Sequence, residues 1–309
     1  GCNGTNANLD ESNPFFSEYQ TPFGVPPFEQ IQTAHYMPAF IKGMEEQMAE
    51  VQAIVENKEP ANFENTIAAL DQSGALLNKV SYVFYGLTSA NTNDELQALS
   101  QELSPLLSKH SDDISMNAQL FERIKAVYEN QENEGLSKEQ KKLLEETYKD
   151  FVRGGANLDA ESQAKLRELN SKIAMLQLTF GQNMLKETNA FKLIVDKEED
   201  LAGLPENLIA AAAETAAADN MEGKWIFTLH NPSIMPFLQY ADNRELREQI
   251  FKGYINRGNN GNENDNKQVC AELVQARLEK AKLMGYEDFA SFALETRMAK
   301  ASEAVYGLL

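Results

Sequence analysis

Apolar residues return every three to four positions along most of this 309-residue chain, and that period limits its fold more than any other feature. Phe40, Met44, Met48, Val51 and Val55 fall on one helical face. Phe63, Ile67, Leu70, Leu77 and Phe84 fall on the face of a second helix, which Asn62 is placed to cap. Asn93 caps a third, carrying Leu96, Leu99, Leu103, Leu106, His110 and Ile114, with Pro105 expected to kink it. Leu120, Phe121, Ile124, Val127 and Tyr128 define a shorter helix. Ser137 and Gln140 form a capping box ahead of Leu143, Leu144, Tyr148 and Phe151. From Asp159 a long helix carries Leu166, Leu169, Ile173, Leu176, Phe180 and Met184, a near-heptad stripe suited to antiparallel packing.

Two regions depart from this period. Residues 13–38 hold Pro14, Pro22, Pro26, Pro27 and Pro38 among aromatics. Proline biases its neighbours toward extended backbone, and the segment is too apolar for a free linker, so its aromatics are expected to pack onto the body. FKLIV at 191–195 and KWIFTL at 224–229 read as short strands on either side of a helix opened by Pro205. Helices resume at Asn231 and Pro232: Leu246, Ile250, Phe251 and Tyr254 share one face, and Val269, Leu273, Ala276, Lys280 and Leu283 another, closed by Gly285. Phe289, Phe292 and Leu294 belong to the next helix, and Ser302 reads as the N-cap of a last one bearing Ala304, Val305 and Leu308. No repeat of fixed period is present. The expected fold is all-α with a small two-stranded ribbon, arranged as a polar tether over residues 1–12 and a helical body over 13–309.

Asp plus Glu number 47 against 28 Lys plus Arg, a net charge of -19. A phosphate backbone requires a basic face, so nucleic acid is excluded as a partner, and electrostatic attraction to anionic lipid is opposed. The two cysteines, Cys2 and Cys270, form neither a disulfide framework nor a zinc pattern. Cys270 lies in a helical pattern and is expected to be a buried small hydrophobe. Cys2 is followed by NGTNANLDES, a polar run. Two readings stay open: the lipidated first residue of a bacterial lipoprotein, which makes Cys2 the candidate lipidation site, and an incidental cysteine in a polar tail.

The chemistry-bearing residues are sparse. His35, His110 and His230 include no pair at the i, i+4 spacing that binds zinc from one helix face. His35 before Pro38 and His110 on an apolar face read as hydrogen-bonded structural residues, and His230 as a turn residue. There is no G-x-S-x-G. GNNGNENDN at 258–266 alternates side-chain oxygens as calcium loops do, but it lacks the bidentate Glu spacing of an EF-hand, so it reads as a polar turn capping the next helix. The pairs Glu45/Glu46 and Glu145/Glu146 are expected on solvent faces. No residue is assigned a catalytic, cofactor-binding or metal-binding role.

Several stretches taken in order carry a resemblance: NPFF at 13–16, PPFEQIQTAHYMPAF at 26–40, FENTIAALDQSGALLNKV at 63–80, SANTNDELQAL at 89–99, FVRGGANL at 151–158, RELREQIFKGYINRG at 244–258, ENDN at 263–266, EKAKLMGY at 279–286 and MAKASEAV at 298–305. Together they resemble the N-terminal half of the zinc peptidases of the thimet oligopeptidase and neurolysin family, and within it the bacterial peptidyl-dipeptidases. The resemblance implies an elongated helical body split by a channel, with zinc at its base. It implies release of dipeptides from the C-termini of short peptides. The family's His-Glu-x-x-His motif occurs nowhere in residues 1–309. The implied zinc, and the Glu that acts as general base beside it, therefore belong to a C-terminal half, and this chain is expected to be the front part of a longer protein and to form one wall of the channel. Its implied partners are short peptides and that missing half, its implied location the bacterial cell envelope, periplasmic or lipid-anchored. An oligopeptidase of the same family and a complete, non-catalytic helical lipoprotein are the alternatives.

Overall fold

A computed structural model describes residues 12–309; residues 1–11 of the tether, including Cys2, lie outside the described residues. The described chain is helical with a single two-stranded ribbon among the described residues, as the apolar period requires. It divides into two compact units, one of residues through Met175 with Ala276–Leu309, the other of Leu176–Gln275.

The first unit is built around α1 (Tyr36–Glu56) and α2 (Ala75–Ala90). Gly43 lets them approach closely, since a Cβ there would stand 2.8 Å from the Leu77 Cα. Phe40, Phe84 and Tyr36 meet edge to face in a core with Val80, Leu96 and Leu103. The following helices are α3 (Asp94–Ser115), α4 (Ala118–Glu129) and α5 (Lys138–Arg153). A second core gathers Val51, Phe63, Ile67, Leu120, Ile124, Leu144 and Phe151. Asn93 and Ser137 cap their helices as expected, each accepting from a backbone N–H. Pro105 lies inside α3, which continues through it.

The single helix expected over 63–84 is broken. Asn62 caps a π-helical turn, Phe63–Ala68, which runs into a short piece, Ala69–Asp71, and Gln72–Gly74 separate this from α2. The break has visible partners: Gly74 takes φ +78°, its N–H donates to Glu50 at 2.7 Å, and Ser73 bonds Gln47 at 3.1 Å. The N-terminal segment corrects a second expectation. Phe15 is buried, and Lys79 clamps the strap by donating to the carbonyls of Phe15 at 3.0 Å and Ser17 at 2.7 Å. Phe23 and Phe28, however, stand exposed.

α6 (Ala160–Ala190) opens at Asp159, whose carboxylate accepts from the Ser162 N–H at 2.8 Å. In the second unit β1 (Leu193–Val195) pairs antiparallel with β2 (Trp225–Phe227), Leu193 opposite Phe227. The ribbon packs with α7 (Glu206–Ala218), α8 (Asn231–Tyr240) and α9 (Arg244–Ile255) on Val195, Leu208, Phe227, Phe237 and Ile250. Phe251, expected on the inner face with Ile250, is exposed instead. Inward Leu246, Ile250 and Tyr254 set the buried face, which leaves the position after Ile250 turned out.

α10 (Lys267–Leu283) closes at Gly285, where φ +86° lets the Tyr286 N–H reach back to Ala281 at 2.9 Å. Cys270, expected to be buried, is exposed on α10. In the first unit α11 (Phe289–Leu294) is held by Arg153, which donates to the Phe292 carbonyl at 2.8 Å, pairs with Glu295 and covers the Phe292 ring. In α12 (Ser302–Leu308), Ser302 is the first helical residue and caps nothing; Ala301 occupies the cap position. Tyr306, Leu308 and Leu309 are exposed.

Candidate functional site

The three histidines are held in structural hydrogen bonds. His35 Nδ1 accepts from the Gln32 N–H at 2.9 Å. His110 is buried on α3 with Nε2 2.7 Å from Gln47 Oε1, and burial lowers its pKa. His230 precedes α8, between the Thr228 hydroxyl at 3.0 Å and Asn189 Oδ1 at 3.1 Å. Glu145 and Glu146 pair with Lys142 and Lys149 along α5, and Glu45 and Glu46 are exposed. Among the described residues no group of three or more His, Cys, Asp or Glu is arranged to hold a metal ion. The described residues thus do not fit a zinc site.

Two buried polar clusters were not read from the sequence. In the first unit, Asp112 on α3 is 5% exposed. Its Oδ1 accepts from Asn170 Nδ2 at 2.7 Å, and Asn170 Oδ1 accepts from Lys280 Nζ at 2.7 Å. Asn170 thereby couples an acid on α3 to a base on α10 through α6. Burial raises the Asp112 pKa against the pull of Asn170 and Arg167, and burial lowers that of Lys280 against the pull of Asp112. Asp112 and Asp113 face a cleft of about 320 Å³ with Ser108, Lys109, Arg167 and Ser171. Asp113 is ion-paired there with Lys109 and with Arg167 at 2.7 Å. Both acids in the cleft are thus tied to neighbours, Asp112 to Asn170 and Asp113 to Lys109 and Arg167.

In the second unit, Glu187 on α6 is 8% exposed and organises the loop between α9 and α10. It accepts from Asn262 Nδ2 at 2.6 Å, from Asn260 Nδ2, and from the Gly258 N–H at 3.4 Å. These hydrogen bonds, that of Asn262 foremost, hold its pKa down despite burial. Asn266 is also buried, bonded to Asn183 at 2.9 Å and to the Phe180 carbonyl at 3.1 Å. The loop read as a polar turn is therefore one, folded around a carboxylate that its own sequence does not contain. Its amides point their N–H groups at Glu187, which is the opposite of what a cation requires.

Two of the buried charged residues, one acid and one base, had a sequence signal. Glu187 continues the stripe of Phe180 and Met184, and Lys280 sits on the face of Leu273 and Ala276. A charge in an apolar register is the mark of a buried polar contact.

Comparison with known proteins places these clusters in a wider frame. Residues 237–309 match the model of peptidase family M3. Over 297 residues the chain is 37% identical to a dipeptidyl carboxypeptidase of Escherichia coli K12, an alignment covering 96% of this chain and 44% of that protein. A dipeptidyl carboxypeptidase of Salmonella typhimurium is 36% identical, with 96% and 44% covered. Oligopeptidase A of Escherichia coli is 30% identical, with 94% and 43% covered. The chain spans less than half the length of these curated relatives.

Proposed function

We infer that this chain belongs to peptidase family M3 as part of a longer polypeptide, and we propose that the whole protein is a zinc-dependent peptidyl-dipeptidase acting on short peptides. The observation that carries this is the 37% identity to a dipeptidyl carboxypeptidase across 96% of the chain. The oligopeptidase A relatives at 30% support a related but more distant specificity. The zinc and the residues that activate water belong, on this reading, to the C-terminal half of the protein, and no step of the chemistry is assigned to a residue described above.

The role of this chain is then to frame a substrate channel. Its three hydrophobic cores are consistent with a stiff wall, and its exposed Phe23, Met298, Tyr306 and Leu308 with surfaces that the remaining half covers. Location in the bacterial cell envelope, through a lipid on Cys2, belongs to the same proposal and rests on the sequence around that cysteine alone. Mass spectrometry of the protein from its native host tests it: an acylated N-terminal peptide containing Cys2 is expected, and an unmodified one would refute the anchor. Activity is tested with a blocked pentapeptide. The chain joined to the remainder of its reading frame is expected to release a C-terminal dipeptide in a chelator-sensitive manner. Cleavage only at internal bonds would favour the oligopeptidase reading.

A further inference from the structure

We propose that Asn260–Gly261 is a latent modification site, at which conversion of the Asn260 side-chain amide to a carboxylate releases the loop that Glu187 holds. Glu187 is nine-tenths buried and ionised, so it only accepts hydrogen bonds. Asn260 Nδ2 and Asn262 Nδ2 are donors to it. Replacing the first donor with a carboxylate sets two acceptor-only anions against each other, and the loop loses one of its anchors.

The chemistry is intramolecular and needs no oxidant or reductant. The Gly261 backbone nitrogen attacks Asn260 Cγ, an N–Cγ bond forms, and the Cγ–Nδ2 bond breaks. The Gly261 amide proton departs with the side-chain nitrogen as ammonia. Water then opens the resulting succinimide at either carbonyl, giving aspartate or isoaspartate. Glycine at the second position offers no side chain to obstruct ring closure, and asparagine is among the thermolabile residues.

Two contacts hold the reaction back in the folded chain. The leaving amide is tied to Glu187, and the nucleophile is committed as well, because the Gly261 N–H donates to Asp265 Oδ2 at 2.8 Å. Removing that proton beside a carboxylate is opposed electrostatically. The chain also carries its own comparator, a second Asn-Gly step at Asn3–Gly4.

The test is peptide mapping by mass spectrometry after incubation of the whole chain at mildly alkaline pH, native and in urea. In urea, Asn260 and Asn3 should convert at similar rates. In the native chain Asn260 should lag its urea rate by roughly tenfold. Glu187→Gln and Asp265→Asn, each acting on a different contact, should raise the native rate at Asn260 and leave Asn3 unchanged. Chains converted at Asn260, and the Asn260→Asp variant, should lose hydrogen-exchange protection over residues 256–266. The proposal is overturned if native Asn260 converts as fast as in urea. It is equally overturned if both variants fold and leave the rate unchanged, or if converted chains keep their protection.

Discussion

Asp112 in the first unit and Glu187 in the second are both buried carboxylates, yet their proton equilibria move in opposite directions. Asp112 accepts from one neutral amide and has Lys280 reaching it only through Asn170. Glu187 accepts from two side-chain amides and a backbone N–H. Burial penalises the charged form of both; at Asp112 it is the largest influence, whereas at Glu187 the hydrogen bond from Asn262 exceeds it. Direct donors from a folded loop outweigh burial at Glu187, whereas a positive charge held one residue away does not at Asp112. The first arrangement ties helices together around an acid that tolerates a proton; the second builds a loop around one that must stay ionised.

The largest expected effect follows from removing the better-supplied acid. Glu187→Ala leaves the Asn260 and Asn262 amides and the Gly258 N–H without their acceptor, which costs on the order of 2–3 kcal/mol. Urea unfolding monitored over residues 256–266 by hydrogen exchange checks it, and a loss below about 0.5 kcal/mol would break the contrast. Asp112→Asn, by comparison, keeps an oxygen for Asn170 and removes a charge that burial disfavours, so a cost of about 1 kcal/mol or less is expected in the same experiment.

The pH dependences should also differ in sign. The folded pKa of Glu187 lies below its ordinary value, so its contribution is present at neutral pH and lost as pH falls through that folded value. Asp265, held down to about 2 by Lys267 and by backbone N–H groups, loses its contribution between about 3.8 and 2. The folded pKa of Asp112 lies above its ordinary 3.8. Its contribution is therefore present at low pH and lost as pH rises through the folded value. Carboxyl-carbon NMR titration separates the two directly; the same direction of shift at both sites would refute the contrast. The smallest effect is expected at a cap of ordinary kind: Ser137→Ala should cost about 1 kcal/mol and leave both titrations unchanged.

Much of this was legible in the sequence. The 3.6-residue period located the helices, and Asn93, Ser137, Asp159 and Gly285 marked ends that the structure keeps. The ribbon was legible because FKLIV and KWIFTL lack that period. The break at Gln72–Gly74 was not, because the apolar spacing runs through it and its cause is tertiary, in Glu50 and Gln47 of a neighbouring helix. Ser302 shows the same limit on capping: the right residue type stood one position inside the helix. Cys270 and Phe251 failed because on a narrow buried stripe the adjacent position faces solvent whatever its chemistry. The Asn-rich loop was read correctly as a turn, but its organising acid lies about seventy residues earlier in sequence, beyond any local pattern.

The central proposal is that this chain frames a peptidase whose metal chemistry lies in another part of the same protein. The direct measurement is dipeptide release, with elemental analysis for zinc, on the purified chain alone and on the chain extended through the rest of its reading frame. The account expects neither zinc nor cleavage from the chain alone, and one zinc with chelator-sensitive dipeptide release from the extended protein. Stoichiometric zinc and dipeptide release from residues 1–309 by themselves would contradict it.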